Sequence, residues 1–225
     1  EISFDGTNAS FETTTISFAS TEELSFSFGN ILSYQGFEAF DATGLYQFSY
    51  SGPSVLYSAG YAVGASVDYV TEDFTLGAWV GDTYSDASFE FLVAYTGIEG
   101  LTAKVIYADD PGYETLNFWA SYEVGDLTLA GEIMDTDYAG PGDNAGFTDI
   151  SMLESYMLLA YYSFGNPGLT FRYSDIDTDM GEYEKFTISP SYTFSDNVLG
   201  LLEVSFVDDG ATDPTEFAAE IIFTF

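Results

Sequence analysis

The sequence predicts an all-β fold: one domain over 1–225, built as a closed antiparallel β-barrel that crosses a membrane on its strands. Three observations predict it. Apolar and polar residues alternate with period two along most of the chain, short and long connections alternate, and extreme acidity coexists with many aromatics. Three Lys+Arg stand against 37 Asp+Glu, a formal charge of 3 − 37 = −34, yet the chain is 46% hydrophobic and 18% aromatic. Acidic disordered chains lack that aromatic content, so disorder is excluded.

The last strand shows the alternation most clearly. Phe217, Ala219, Ile221, Phe223 and Phe225 lie on one face; Glu216, Ala218, Glu220, Ile222 and Thr224 lie on the other. Counting backwards, strands are expected near 198–208, 182–194, 168–177, 149–164, 126–137, 113–124, 100–109, 87–97, 74–84, 57–70, 23–33 and 9–20, with residues 1–4 as the stub of one more. Bacterial barrels favour an even count, so about 14 strands are expected, within a range of roughly 12 to 16. One set of connections is short: 21–23, 71–73, 97–100, 125–126, 165–168 and 195–197. The interleaved set is longer or more acidic: 34–56, 83–87, 109–113, 138–149, 175–182 and 208–215. Short turns at one end and longer acidic loops at the other are the periplasmic and extracellular sides of a membrane barrel.

Parity alone does not say which face points out, since a soluble barrel carries the same alternation inverted. The character of the faces favours the membrane. The apolar face gathers aromatics towards strand ends (Tyr69, Tyr95, Tyr107, Tyr122, Tyr162, Phe164, Tyr192, Phe194 and Phe225), as in interfacial girdles. The other face is small and polar, suited to a wet lumen.

All three cations, Lys104, Arg172 and Lys185, fall on the polar face, together with Asp68, Glu90, Glu132, Glu203 and Glu220. In hydrocarbon a cation costs roughly 2–4 kcal/mol at mid-depth, so the lumen is where charge is tolerated. The same eight residues are candidate pore-lining charges that select permeants, or a lattice of pairs bracing the wall. Asp175, Asp177 and Asp179 alternate like the start of a calcium loop. Gly181, however, stands seventh rather than sixth and the closing Glu is missing, so a solvated charge run is the competing reading. Ca²⁺ or Mg²⁺ at the acidic loops, bridging to lipopolysaccharide phosphates, would need no dedicated site; no other cofactor is expected.

An enzyme is not expected. With no His and no Cys the chain offers no Ser-His pair and no thiol nucleophile, and it has no Gly-rich phosphate loop. The charge sign excludes nucleic acid. Residues 1–4 have neither the basic start nor the apolar stretch of a signal peptide, so an exported form is expected to be processed or trimmed.

The stretch Gly29-Asn-Ile-Leu-Ser-Tyr-Gln-Gly-Phe-Glu-Ala-Phe-Asp-Ala-Thr-Gly-Leu-Tyr-Gln-Phe-Ser-Tyr50 resembles the OmpL-like, or beta-barrel porin-2, group of Gram-negative outer-membrane porins. Phe186-Thr-Ile-Ser-Pro-Ser-Tyr192, Leu201-Leu-Glu-Val-Ser-Phe206 and the terminal Phe225 are similar to the same group. Asn30 departs from it, standing where the group's pattern has Lys. The resemblance implies an outer-membrane channel for passive diffusion of small hydrophilic solutes and ions, often as a homotrimer. Loop 34–56, rich in aromatics, is then a constriction, a lid on a neighbouring subunit, a cap on the rim or a self-packed surface loop. Acidic walls would favour cations. Two other readings remain at this point: a plugged structural or adhesive barrel whose acidic loops bind calcium or a partner, and a soluble, halophile-type acidic β-protein.

Overall fold

Hydrogen-bonded ladders replace the sequence pattern with a defined sheet. The computed structural model describes residues 2–5, 8–11, 14–39, 41–52, 60–83, 86–138, 152–178 and 181–224. Its strands are β1 (Ile2–Asp5), β2 (Asn8–Phe11), β3 (Thr14–Ala19), β4 (Leu24–Leu32), β5 (Tyr61–Val70), β6 (Phe74–Thr83), β7 (Asp86–Tyr95) and β8 (Leu101–Asp110). They continue as β9 (Tyr113–Val124), β10 (Leu127–Tyr138), β11 (Met152–Ser163), β12 (Pro167–Thr178), β13 (Gly181–Ser195), β14 (Val198–Asp208) and β15 (Thr215–Phe223). From β3 to β15 each strand pairs antiparallel with its chain neighbour, giving one 13-stranded meander.

One expectation about the wall is corrected and another is met in part. Residues 2–5 do not begin a further strand of this sheet; β1 pairs with β2 in a separate two-stranded sheet, and the strand read over 9–20 is divided between β2 and β3. Alternation sets which face a residue takes but not which strand it pairs with, so the sequence pattern ran through the division. Among the described residues β3 and β15 each have one neighbour, so the described sheet is open, and the closed 14-stranded wall is not what it displays. With 13 − 1 = 12 antiparallel steps between them, β3 and β15 point the same way. Antiparallel closure therefore takes an odd number of further strands.

The acidic connections are also shorter than expected. Ladders run on to Thr83↔Asp86, Asp110↔Tyr113 and Thr178↔Gly181, so strand pairing takes in most of what was read as loops 83–87, 109–113 and 175–182. Gly112 and Gly181 take positive φ (90° and 130°), which a side chain rarely adopts. Of the loop read over 138–149, residues 139–149 lie outside the described residues, as do Asp179 and Phe225.

Exposure resolves the two faces. On the outward parity Phe91 is 54% exposed and Leu158 59%; on the inward parity Ile106, Met157 and Thr187 are at 0%. The aromatic face thus points out, the reverse of a soluble barrel, and matches a wall solvated by lipid. Cross-strand or near-neighbour rings join at the short-turn end: Phe74–Tyr95 at 5.0 Å, Tyr162–Phe164 at 4.7 Å and Tyr192–Phe194 at 5.0 Å.

At the opposite end the outward face carries carboxylates directly across from carboxylates: Asp109↔Glu114↔Asp137, Asp135↔Glu154, Asp177↔Glu182 and Asp175↔Glu184↔Asp208. Like charges in opposed positions destabilise a ladder. The double variant Asp175→Asn/Asp177→Asn is expected to gain about 0.2–1 kcal/mol per relieved pair at low ionic strength. That gain should fade near 1 M salt, where the screening length is about 3 Å. Urea unfolding in micelles, followed by tryptophan fluorescence at both salt levels, checks it.

Candidate functional site

A loop that lies inside a sheet must find partners for every backbone N–H and C=O it takes out of water. The β4–β5 connection does so on the inward side chains of the wall. The Tyr34 N–H donates to Glu90 Oε2 (2.7 Å) on β7, and the Tyr34 hydroxyl donates to Asp68 Oδ1 (2.7 Å) on β5. The Gly36 N–H reaches Asn117 Oδ1 (3.0 Å) on β9, and the Phe37 N–H reaches Glu132 Oε1 (3.1 Å) on β10. Asn117 Nδ2 donates to that same Glu132 oxygen at 2.7 Å, tying the two anchors together. Burial and the Asp68 carboxylate both push the Tyr34 phenol above its ordinary pKa, so it stays protonated as a donor.

The loop turns back through a single 3₁₀ turn at Ala42–Gly44, and its second half is held by β12 and β14. Thr170 donates to the Tyr46 carbonyl (2.8 Å) and Ser174 to the Ser51 carbonyl (2.6 Å). Glu203 accepts both the Ser49 N–H (2.9 Å) and the Ser49 hydroxyl (2.5 Å). Arg172, 1% exposed, is the centre of this half. Its guanidinium donates to Glu38 Oε1 (2.5 Å), to the carbonyls of Ser49 (2.5 Å) and Tyr50 (2.9 Å), and to Thr187 Oγ1 (3.0 Å). Glu38 in turn accepts from Gln47 Nε2 and the Ser51 N–H, both at 2.9 Å. The ion pair therefore closes the loop on itself and on the wall together.

Between these anchors parts of the inner face are apolar and buried. Leu92, Ala94, Ile106 and Trp119 form one buried cluster with Tyr34 and Phe37 against it, and Phe37 meets Trp119 edge-on at 5.5 Å. Ala130, Met134, Met157, Leu159 and Ile176 form another, covered by Phe37 and Tyr46. Tyr46 also stacks obliquely on Tyr161 at 4.9 Å. The inward face is thus not polar throughout; its apolar part lies where the loop covers it.

Each candidate pore charge has a definite place. Asp68, Glu90, Glu132, Glu203 and Arg172 bond to the loop. Lys185 pairs with Glu216 at 3.6 Å, and Lys104 sits over the Trp119 ring at 4.8 Å. Glu220 is half-buried on the inward parity of β15. Asp175 and Asp177, singled out as metal ligands, are outward residues of β12, and Asp175 accepts the Tyr156 hydroxyl at 2.7 Å. Sequence reasoning missed Glu38, Ser49 and Asn117. The available signal was two carboxylates, Glu38 and Asp41, set among the aromatics and small polar residues of a long loop, with only three cations in the chain to answer them.

Replacing Arg172 by Met leaves Glu38 buried without its counter-charge, and an expected loss of about 3–5 kcal/mol follows from breaking such a pair. The double variant Arg172→Met/Glu38→Gln should recover part of the loss. Urea unfolding in micelles, with protease cleavage inside 33–52 as the local readout, checks both.

No family model and no curated protein matches the chain. Solved structures do. An anion-selective porin from Comamonas acidovorans aligns with a TM-score of 0.67 at 17% identity, over 96% of this chain and 75% of its own. A porin mutant of Rh. blastica aligns with a TM-score of 0.65 at 18% identity, over 98% and 79%. A loop-deletion mutant of OmpT, an outer membrane protein of Vibrio cholerae, aligns with a TM-score of 0.64 at 13% identity, over 90% and 76%. With its aromatic face outward and a long loop folded onto its inner face, the chain has the fold of the Gram-negative outer-membrane porins.

Proposed function

We propose that this protein is a bacterial outer-membrane porin in which loop 33–52 narrows a water-filled passage for small hydrophilic solutes and ions. The observation that carries the reading is the loop's course: it is bonded to inward side chains from β5 to β14 rather than lying over the rim. A loop so held sets the width of whatever space remains beside it. Water-filled passage needs no catalytic group, and its rate follows from bore and field.

The passage favours cations. Arg172 is neutralised by Glu38 and Lys185 faces Glu216, so two of three cations are compensated within the wall. Glu220, near Glu203 on the same inward face, adds negative field on the side of β15, where no loop anchor falls among the described residues. Lipopolysaccharide and outer-membrane lipid bound the outward face, with divalent cations screening the acidic rim. Assembly is as a homotrimer.

Planar-bilayer recording tests the whole reading. Ohmic single-channel steps are expected, and a KCl gradient should give a reversal potential of cation-selective sign. A silent membrane points to a plugged barrel, and an anionic reversal potential overturns the selectivity. Glu220→Lys should move the reversal potential towards anions. Arg172→Met, by loosening the loop, should raise single-channel conductance or make it noisy.

A further inference from the structure

The outward face of the wall is not evenly filled. Near the short-turn end, Pro190 on β13, Gly200 on β14 and Ala219 on β15 stand close together, and the surface sinks there into a groove of about 550 Å³. The ladders place Tyr192, Gly200 and Ile221 in one row across the three strands, with Leu202 and Ala219 in the next. Phe194 leans over the gap: a Cβ added at Gly200 would stand 2.8 Å from its ring. Tyr192, Phe194, Leu202 and Ile221 wall the groove, and all four are exposed.

The backbone is adapted to this dent. β13 lies inside the sheet, where a proline removes a ladder hydrogen bond. The β13–β14 register, Ile188↔Val204 and Ser191↔Leu201, carries Pro190 opposite Leu202. The Leu202 carbonyl accepts the hydroxyl of Ser189, a buried inward residue, at 2.8 Å. The carbonyl facing the proline thus keeps a partner without any polar group being turned towards the groove.

On this face the surroundings are hydrocarbon, so whatever fills the groove is apolar along its length. Short turns mark the periplasmic side, and the Tyr192 and Phe194 rings, 5.0 Å apart, belong to the aromatic belt at that interface. An apolar chain lying in the groove therefore has its polar end among the short turns. Those turns carry Glu22, Glu72, Glu99, Asp126 and Asp196 but no Lys or Arg. Asp196 lies in the turn that joins β13 to β14, the two strands that carry Phe194 and Gly200. All three cations of the chain are engaged on the inward side, with Glu38, with Glu216 and over Trp119. An anionic headgroup would meet only like charge here, whereas an ammonium group meets its complement. A second copy of the chain fits less well, because a stable interface buries about 800 Å² per partner, more than a dent across three strands provides.

We propose that this groove holds one acyl chain of an amine-bearing, zwitterionic phospholipid of the periplasmic leaflet, with its ammonium group towards Asp196. Flanking side chains touch the acyl chain on its sides as well as beneath it, and the summed dispersion holds it against exchange with bulk lipid. The site rests on the outer-membrane location of the protein and not on the channel.

Native mass spectrometry of the whole chain, delipidated in detergent and titrated with dioleoyl phosphatidylethanolamine or dioleoyl phosphatidylglycerol, tests it. Wild type should retain one phosphatidylethanolamine per chain, and less phosphatidylglycerol at equal concentration. Ala219→Leu, which fills the groove, should lose that lipid. Ala65→Leu, the same addition on the outward face of β5, should keep it. Asp196→Lys should reverse the headgroup order; it changes only a turn, so it keeps the test valid if Ala219→Leu fails to fold. Equal retention in wild type and Ala219→Leu, equal loss in both alanine variants, or a headgroup order that Asp196→Lys leaves unchanged overturns the proposal. So does an oligomer mass that only Ala219→Leu disperses, since the groove is then a contact between copies. Lipid retention is read without current, so its failure and failure of the channel reading are separate results.

Discussion

The structure depends on one exchange: inward side chains of the wall take the place of water around the backbone of loop 33–52. Peptide groups moved off the surface need partners, and here carboxylates, hydroxyls and one guanidinium supply them. Carboxylates suit the N–H groups of Tyr34, Phe37 and Ser49; the hydroxyls of Thr170 and Ser174 suit carbonyls; Arg172 bonds two carbonyls and Glu38 at once. Charge-assisted bonds are the stronger kind, and they sit where the loop must not shift. The apolar inward residues then make sense as well, because Phe37 and Tyr46 cover them.

Charges inside the wall therefore divide by partner. Those under the loop act as anchors for it. Glu220, on the inward parity of β15, is the clearest case of one that lies away from those anchors. Arg172 illustrates the difference: a lone lumenal arginine reads as a selectivity charge, but buried against Glu38 it contributes position and little net charge.

The outer surface follows a different rule. In the apolar belt a cation is costly, and none of the three cations lies on the outward parity. Beyond the belt the hairpins continue, so residues that look like acidic loops become strand residues in opposed pairs. Acidity at the rim is thus built into the ladder, and its cost varies with the ionic medium around it.

Strand positions, face assignment and the grouping of charges on one parity were legible in the sequence because each is local, set by alternation at period two and by turn residues. Most strand ends, such as Tyr113–Val124 and Val198–Asp208, could be read directly. Which face was the outside came from the character of the residues rather than from the period, since period two is symmetric between the faces. What the loop read over 34–56 did was not legible, because a loop's course depends on partners more than a hundred residues away, as for Glu38 and Arg172. Only the tertiary structure brings those partners together, because a bond between residues 134 apart leaves no periodic trace in either segment.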